Sequence, residues 1–388
     1  MDMFAFDRLV ICGIGLIGSS VARGLRRAHA DGRIAGAGQI VGVDRDAASL
    51  ARALDLGVID SGFLVEDFEA AVAQADFIVL ATPVAQTRAL LARLMPAPLA
   101  VDLASSSPAS PAESLASSAL AALHDPLPIS SRAPPMRADA VVTDVGSTKG
   151  DIVAAAQAVL GGALARFVPA HPIAGTEASG VDAGHASLFD GRDAILCPLP
   201  VTDADALAKT QAFWQCLGAR PVVMAAERHD ALFASVSHLP HLLAFAFITH
   251  ILKTDDAELR FAFAGSGFRD FSRIAASSPE MWRDICGANR AAILADMDAY
   301  LAQLGALRQA VADGDAAALE SLFAVARTAR SDWHQGETLA ARAERHALAG
   351  NAARSAEMSK DATTVTAKKT VDAADQDAAT GPSGRLVP

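Results

Sequence analysis

Two side chains suited to proton transfer stand just after short apolar segments of the sequence. His171 opens the segment His171-Pro172-Ile173-Ala174-Gly175, and Ser147 follows the apolar run from Val141 to Val145. Histidine titrates near neutral pH, so it is the side chain best suited to take a proton from a substrate hydroxyl group. The proline after His171 restricts the backbone there. We therefore expect His171 to act as a general base that takes a proton from a substrate hydroxyl group.

A glycine-rich turn near the N-terminus predicts where a nucleotide would bind. Gly13, Gly15 and Gly18 form the pattern G-x-G-x-x-G, which follows a predicted strand at Arg8 to Cys12 and opens a predicted helix ending near Ala30. Glycines permit the tight turn and the close approach of the backbone, and the helix N-terminus holds the pyrophosphate of a dinucleotide. The expected NAD-binding residues are Gly13, Gly15, Leu16, Ile17, Gly18, Asp44, Thr82 and Pro83.

The residues that follow the next two strands refine this prediction. The predicted strand Ile40 to Val43 ends in Asp44, an acid that can bind the adenine ribose. Asp44 would repel a 2′-phosphate, which favours NAD over NADP, although Arg45 beside it weakens that preference. Thr82 and Pro83 follow the third strand at the sheet edge where ligands bind in such folds. They would equally serve as a strand stop and turn.

The wider pattern predicts an α/β domain followed by a helical one. Apolar runs at Phe77 to Leu80, Val141 to Val145 and Ala194 to Cys197 alternate with helical patterns, which is typical of a parallel, doubly wound sheet. From about Asp203 the pattern is almost uninterrupted helix. We predict a Rossmann-like domain over residues 1–202 with a low-complexity insertion at 105–135, an all-helical domain over 203–348 and a disordered tail over 349–388. The predicted helical stretches are Ala225 to Leu252, Ser278 to Leu304 and Leu307 to Leu348.

Composition and charge narrow the classes of partner. The 388 residues carry a formal net charge of −11, which argues against nucleic-acid binding and requires local cations around any anionic substrate. The four cysteines are far apart and form no metal-binding pattern, so we expect reduced thiols, no metal and a cytoplasmic protein. The apolar run Leu239 to Leu252 is too short to span a bilayer. We interpret it as a buried helix and expect no membrane association.

Five separated motifs together resemble the prephenate/arogenate dehydrogenase family, over about Arg8 to Leu304. They are Gly13 to Gly18, Asp144 to Ser147, His171 to Glu177, Ser237 to His241 and Gly267 to Ala275. The resemblance implies an NAD-dependent oxidative decarboxylation of prephenate to 4-hydroxyphenylpyruvate in tyrosine biosynthesis. It also implies a homodimer formed through the helical domain. Arogenate differs from prephenate only on the side chain, so an arogenate or dual-substrate cyclohexadienyl dehydrogenase stays open.

The resemblance also implies a role for each site residue. His171 would take the proton of the ring 4-hydroxyl group, and Ser147 would orient that hydroxyl group and the nicotinamide. Arg273 would bind a substrate carboxylate, and Glu177 would pair with Arg273. The remaining substrate-binding residues would be His238, His241, Asp270 and Trp282.

Other interpretations stay open for these residues and for the whole chain. Ser147 could cap a helix, and the two histidines of Ser237 to His241 could be core residues. Asp270 and Trp282 could be structural. A two-domain 3-hydroxyacid dehydrogenase would use a lysine on the long interdomain helix, and residues 225–252 contain none. A non-catalytic NAD-binding regulator would need the glycine turn but not Ser147, His171 and Arg273 together.

Overall fold

The computed structural model describes residues 3–36, 38–95, 136–175 and 178–333. They fall into two compact units, one up to Ala302 and one from Gln303 onward. The predicted insertion at 105–135 and the predicted tail at 349–388 lie outside the described residues, as does Glu177.

Six parallel strands form the main sheet of the first unit, in the order β5-β4-β2-β6-β7-β8. They are β2 (Arg8–Cys12), β4 (Gln39–Asp44), β5 (Ser61–Leu64), β6 (Phe77–Leu80), β7 (Val141–Asp144) and β8 (Phe167–Val168). The central strands read as continuous apolar runs because both faces of the sheet are covered: Leu9, Val10 and Ile11 have no exposed surface. β1 (Phe4–Ala5) and β3 (Ile34–Ala35) form a separate two-stranded sheet, and the Phe4 ring packs 5.2 Å from that of Phe77 in β6. The predicted Rossmann-like sheet is confirmed.

Helices pack against this sheet. They are α1 (Leu16–Ala30), α2 (Ala47–Asp55), α3 (Phe68–Val72), α4 (Val84–Arg93), α5 (Gly150–Val159) and α6 (Ala204–Cys216). The start of α2 is fixed by Asp46, whose side chain accepts hydrogen bonds from the Ala48 and Ser49 backbone N–H groups. α6 packs aromatic rings against the sheet, with the Phe213 ring 4.8 Å from that of Phe77.

A second sheet was not anticipated. β9 (Ala170–Pro172) pairs antiparallel with β10 (Asp193–Leu196), and β10 pairs parallel with β11 (Arg220–Val223). The predicted strand at Ala194 to Cys197 therefore exists but belongs to this sheet and not to the main one. β11 also interrupts the stretch after Asp203 that we predicted to be helical throughout. Its Arg220-Pro221 start gives no strand pattern, and tertiary pairing with β10 decides its conformation.

The helical part of the first unit begins after β11. Its helices are α7 (Ala226–Phe233), α8 (Leu239–Leu252), α9 (Ala257–Ala262), α10 (Ser266–Ser272), α11 (Pro279–Ala288) and α12 (Arg290–Asp313), the last of which continues beyond Ala302. The predicted helix Ser278 to Leu304 is broken at Asn289, which separates α11 from α12. Ser278 caps α11 by accepting a hydrogen bond from the Met281 N–H group.

One π-helical turn, Ala234–His238, joins α7 to α8 into a continuous stretch of 27 residues, Ala226–Leu252. Among the described residues, this stretch alone is long and apolar enough to cross a membrane. Its first turns nevertheless bury His229 and Asp230 inside the protein. Our interpretation of Leu239 to Leu252 as a buried helix is wrong for the single chain: within α8 only Leu239 and Ala244 are buried. The rest of α8 is partly or fully exposed, although Phe247 packs against Phe268 and Phe271 of α10.

The second unit continues α12 and adds α13 (Ala316–Asp332). Gly314, with a φ of +65°, ends α12, and the Asp315 side chain caps α13 by accepting from the Ala318 N–H group. The predicted single helix from Leu307 to Leu348 is therefore broken here, and residues 334–348 lie outside the described chain.

Candidate active site

The glycine turn between β2 and α1 is shaped for a nucleotide. Gly13 has a φ of +92°, and a Cβ atom there would lie 2.5 Å from the Ala81 carbonyl oxygen. A Cβ atom on Gly18 would lie 1.9 Å from the Gly13 carbonyl oxygen, so Gly18 is required for α1 to approach the turn. By contrast, a Cβ atom on Gly15 would meet no atom within 4 Å. The open space is therefore at Gly15, at the N-terminus of α1.

The N-terminus of α1 has free capacity for an anion. Gly15 supplies no side-chain cap, and the first turn, which contains Leu16 and Ile17, holds no acidic residue. The unpaired N–H groups and the helix dipole favour a negatively charged group at such a position. These residues fit the pyrophosphate of NAD.

Asp44 ends β4 beside this turn. Its Oδ2 atom accepts a hydrogen bond from the Ile14 N–H group at 2.8 Å, and its Oδ1 atom accepts one from Asp46 at 3.0 Å. A carboxylate offers about four acceptor sites, so each oxygen keeps capacity for a ribose hydroxyl group. Asp44 thus fixes the glycine turn and fits the ribose as well. Thr82 and Pro83 follow β6, with the Thr82 methyl group next to Gly13.

A cavity of about 310 Å³ lies beside the carboxyl end of β7, where Ser147 follows the strand. This volume is at the lower end of the range for small-molecule sites. Four of the predicted site residues line it, together with the apolar side chains of Phe233 and Ile285. The four are Ser147, His171, His238 and Trp282.

His171 is held by a chain of hydrogen bonds that leads away from the cavity. Its Nδ1 atom lies 2.8 Å from Nε2 of His229, and Nδ1 of His229 lies 2.9 Å from Oδ1 of Asp230. Asp230 in turn accepts hydrogen bonds from the backbone N–H groups of Lys149 and Gly150, each at 2.8 Å. Since Nδ1 of His171 is engaged, Nε2 is the nitrogen left for the cavity.

The surroundings keep His171 neutral. Burial lowers its pKa well below the ordinary value, and electrostatic interactions with the neighbouring side chains of His229, Lys149 and His238 lower it further. Burial alone would raise the pKa of Asp230. The hydrogen bonds from His229, Gly150 and Lys149 outweigh that effect and hold the Asp230 pKa below its ordinary value. The base is thus neutral, and the carboxylate at the end of the chain is ionised.

A buried ion pair fixes the backbone next to the base. Lys149 and Asp144 are both buried, and their side chains form a salt bridge. Lys149 Nζ donates to the Ala170 carbonyl group at 2.7 Å, while Asp144 Oδ1 accepts from the Ala170 N–H group at 3.1 Å. Both backbone groups of Ala170 are therefore hydrogen-bonded to buried side chains, which fixes the backbone position of the next residue, His171.

The two histidines of the Ser237 to His241 motif have different surroundings. His238 is buried and lines the cavity, and its Nδ1 atom lies 3.1 Å from Nδ2 of Asn289. Burial lowers the pKa of His238 to about 4. His241 is not in the cavity wall. Its ring stacks on Trp282 at 3.9 Å, and its Nδ1 atom bonds to the Ser237 carbonyl group.

Like His241, the predicted residues Asp270 and Arg273 are not in the cavity wall. Asp270 lies exposed on α10, and Arg273 is exposed at the start of the 3-10 helix Arg273–Ala276. The pKa of His241 is lowered mainly by burial of its ring, and the positive charge of the nearby Arg273 lowers it further. Trp282 is 6% exposed, and its Nε1–H group makes no hydrogen bond to the described residues.

Sequence reasoning missed His229, Asp230, Asn289 and the role of Lys149. A signal for the first two was available, because an adjacent His–Asp pair inside an apolar helical pattern is costly unless both groups are bound. Asn289 gave no signal. No group of three or more His, Cys, Asp or Glu side chains within the described ranges could hold a metal ion.

A neutral base in a cavity beside a nucleotide fold is what oxidation of a hydroxyl group requires. The class that fits is therefore an NAD-dependent dehydrogenase with a helical second part.

Comparison with known proteins narrows this class. Residues 21–116 and 128–223 match the family profile "Prephenate dehydrogenase, nucleotide-binding domain", and residues 225–325 match "Prephenate dehydrogenase, dimerization domain". The chain is 32% identical to the cyclohexadienyl dehydrogenase of Zymomonas mobilis, over 84% of this chain and 96% of that protein. It is also 32% identical to the prephenate dehydrogenase of Bacillus subtilis, over 85% and 76% of the two chains.

A solved structure agrees with these matches. The crystal structure of prephenate dehydrogenase from A. aeolicus, in complex with hydroxyphenyl propionate and NAD+, is similar to this chain with a TM-score of 0.68. The two are 31% identical over 85% of this chain and 99% of that one. This chain belongs to the prephenate dehydrogenase family, as its motifs predicted.

Proposed function

We propose that the protein catalyses the NAD-dependent oxidative decarboxylation of prephenate to 4-hydroxyphenylpyruvate. The observation that carries the proposal is His171, a neutral histidine in the cavity wall with one ring nitrogen bound and the other available. The family and the nucleotide-shaped turn at Gly13 to Gly18 support the same reaction.

The reaction requires from the protein only one general base and correct positioning of the substrate. His171 takes the proton of the ring 4-hydroxyl group, and the oxygen forms a carbonyl bond as hydride leaves C4. The bond to the ring carboxylate then breaks, and its electron pair makes the ring aromatic. The oxygen, now a phenolate, takes the proton back from His171, so no net proton is released. Bound NAD+ supplies the hydride acceptor.

The other site residues have positioning roles in this proposal. Ser147, in the cavity wall, orients the hydroxyl group, and His238 and Trp282 bind the substrate from the helical side. His241 supports Trp282 through their stacked rings. Arg273 binds a substrate carboxylate with Glu177 and Asp270 around it, and both carboxylates of prephenate require such cations because the chain carries a net charge of −11.

Arogenate is the second candidate substrate. The relative from Zymomonas mobilis is named a cyclohexadienyl dehydrogenase, a name that covers both ring compounds. The reacting ring is the same in both, so His171 would act in the same way. The discrimination would lie with residues around the side chain of the substrate.

A two-by-two assay tests the function directly. Initial rates of NADH or NADPH formation are measured with prephenate and with arogenate, each with NAD+ and NADP+. We expect the highest kcat/KM with prephenate and NAD+, since Asp44 opposes a 2′-phosphate. No NAD+ reduction with either substrate, despite NAD+ binding, would overturn the proposal and favour a non-catalytic regulator.

The base is tested by substitution. His171→Asn keeps a polar group but removes the base, and should lower kcat by about 10²–10⁴-fold. His29→Asn is the matched control, because His29 is exposed in the last turn of α1 and should leave kcat unchanged. Unchanged kcat in His171→Asn would remove this residue from the mechanism.

The pH dependence follows from the lowered pKa of His171. The neutral form is active, so activity is lost as pH falls through the pKa of this group. Because burial and neighbouring charges lower that pKa, the acid limb of kcat/KM should have its midpoint below the ordinary value of 6.5. The measurement is kcat/KM as a function of pH from about 8 downward. A midpoint at or above the ordinary value would contradict the assigned surroundings of the base.

Cellular location, assembly and domain division complete the proposal. We propose a cytoplasmic homodimer that binds neither nucleic acid nor membrane, with the dimer formed through the helical part. The match to a dimerization domain and the exposed apolar surface of α8 to α10 support the dimer. We retain the division into domains at about residue 202 as a further proposal.

A further inference from the structure

Two histidines line the cavity, and each has its inner nitrogen bound to a group that leads to Asp230. From His171 the path runs through His229 to the Asp230 carboxylate. From His238 the path runs through Asn289 to the Asp230 backbone carbonyl group. His229, Asp230, His238 and Asn289 are all buried, so water does not supply alternative partners.

The first path determines which nitrogen of His171 carries hydrogen. An ionised carboxylate only accepts hydrogen bonds, so Nδ1 of His229 must carry hydrogen and donate to Asp230. Burial lowers the pKa of His229, which keeps that ring neutral. Its Nε2 atom is then an acceptor, and Nδ1 of His171 must donate to it. This leaves Nε2 of His171 without hydrogen, facing the cavity as a proton acceptor.

The second path gives the opposite result for His238. A carbonyl group only accepts, so the part of the Asn289 side chain lying 2.8 Å from the Asp230 oxygen is its NH2 group. The second hydrogen of that NH2 group points to Nδ1 of His238, which must therefore accept. Neutral His238 then carries its hydrogen on Nε2, the nitrogen left for the cavity.

We propose that Asp230, acting through His229 and Asn289, sets opposite tautomers on the two cavity histidines. His171 thus presents a proton acceptor and His238 presents a hydrogen-bond donor to the same ligand. The assignment of an acceptor role during turnover rests on the proposed function. The tautomers themselves do not.

The arrangement also provides for the proton once it has moved. When His171 Nε2 takes the substrate proton, the ring becomes a cation whose Nδ1–H group points at His229. His229 is held by the Asp230 carboxylate, so the positive charge is stabilised through the pair without a second proton leaving the site. The return of the proton to the substrate oxygen restores the starting tautomers. His229, Asp230 and Asn289 are positioning residues, since they act through the two cavity histidines.

Other charged and titratable groups face this network. Lys149 and Asp144 lie beneath His171, and Arg273 and His241 lie on the side of His238. Lys149 opposes a positive charge on His171. The ionised carboxylate of Asp230, which His171 reaches through His229, acts in the opposite direction.

The test reads the tautomers directly by 15N NMR of the intact protein with ring-labelled histidine, near neutral pH and without substrate. His171→Asn and His238→Asn serve to assign the two signals. We expect hydrogen on Nδ1 of His171 and on Nε2 of His238. The same tautomer on both rings, or the reverse assignment, would overturn the proposal whether or not the protein oxidises prephenate.

Two substitutions separate the paths. His229→Leu should release the tautomer of His171 and leave His238 unchanged, while Asn289→Ala should do the reverse. For His229→Leu we expect kcat to fall about ten- to hundredfold, which is what one hydrogen bond to a charged group contributes, with little change in KM. His229→Gln, which can still accept from His171, should recover part of that loss. Wild-type kcat in His229→Leu, with unchanged His171 signals, would also overturn the proposal.

Discussion

Arg273 is an exposed side chain at the start of a 3-10 helix, near the stacked pair of His241 and Trp282. Its planar guanidinium group can hold both oxygens of a carboxylate at once, and hydrogen bonds to charged groups contribute about 1.5–3 kcal/mol. Arg273→Ala should therefore lower kcat/KM for prephenate by at least about tenfold, mostly through KM. The dissociation constant for NAD should stay the same.

The neighbouring Arg269 provides the matched control for this prediction. It is exposed on α10 and carries the same charge, so Arg269→Ala tests whether charge alone matters. Equal losses of kcat/KM in both variants would mean that Arg273 acts only through the general field. An unchanged KM in Arg273→Ala would assign it a structural role.

Lys149 is a fully buried cation, and its removal should lower the free energy of unfolding. Lys149→Met would leave Asp144 as an uncompensated buried charge, and breaking such a pair costs about 3–5 kcal/mol. Urea denaturation of the variant should show this loss in the free energy of unfolding. Lys253→Met, at an exposed position, should change it by less than about 0.5 kcal/mol. Similar midpoints for the two variants would contradict the assignment.

Local sequence singled out His171 and Ser147, which line the same cavity: Ser147 follows β7, and His171 lies in β9 just before a turn. It was not enough for His229 and Asp230. The hydrogen bond from His171 to His229 joins residues 58 positions apart, and only the fold brings them together. Asn289 interrupts a helical pattern and was hidden within it, because a single polar residue in a helix is usually solvated.

At the scale of elements, the turn between β2 and α1 offers a matched pair of substitutions. A methyl group on Gly18 would collide with the Gly13 backbone, whereas one on Gly15 would enter open space. Gly18→Ala should therefore lower the free energy of unfolding by about 1–3 kcal/mol. Gly15→Ala should change stability by less than about 1 kcal/mol but weaken NAD binding about tenfold or more.

Thermal or urea denaturation and NAD titration of both variants check this prediction. Tight NAD binding by Gly15→Ala would show that the open space is not where the pyrophosphate lies. Full stability of Gly18→Ala would contradict the close packing of α1 on the turn.

The elements that the sequence predicted well are those that are buried on both sides. The sequences of β2, β4 and β6 are largely apolar runs, and this pattern predicts strands that are buried on both faces of a parallel sheet. β9 and β11 are short and contain proline, and they form only by pairing with β10. The sequence did not predict the π-helical turn Ala234–His238 either, although such turns often occur at functional sites. Here it carries Val236, Ser237 and His238 into the cavity wall.

At the scale of the whole molecule, the helical part of the first unit exposes large apolar side chains. Phe263 is 82% exposed and Phe271 is 47% exposed, and Leu252 and Leu259 are exposed near them in sequence. Exposed apolar surface of this kind is typical of a protein–protein contact. Phe263→Asp should weaken the proposed dimer by at least about tenfold in its dissociation constant.

Sedimentation equilibrium over a range of concentrations measures this change. Val201→Asp is the control, because Val201 is 56% exposed but lies in the nucleotide-binding part. A dimer that is equally stable in both variants, or a wild-type protein that is monomeric, would contradict the proposed interface.

The hydrogen bonds that orient His171 have a consequence for a chain that is still being synthesised. The base is part of β9, but its orientation comes from α7, whose residues follow much later in the sequence. The glycine turn, in contrast, is formed by β2, α1 and β4 together with Ala81 and Thr82 after β6, all of which precede β9 and α7 in the sequence. The residues of the nucleotide site are therefore synthesised before those that orient the histidine. The base can be held in its final orientation only in a chain that extends through α7.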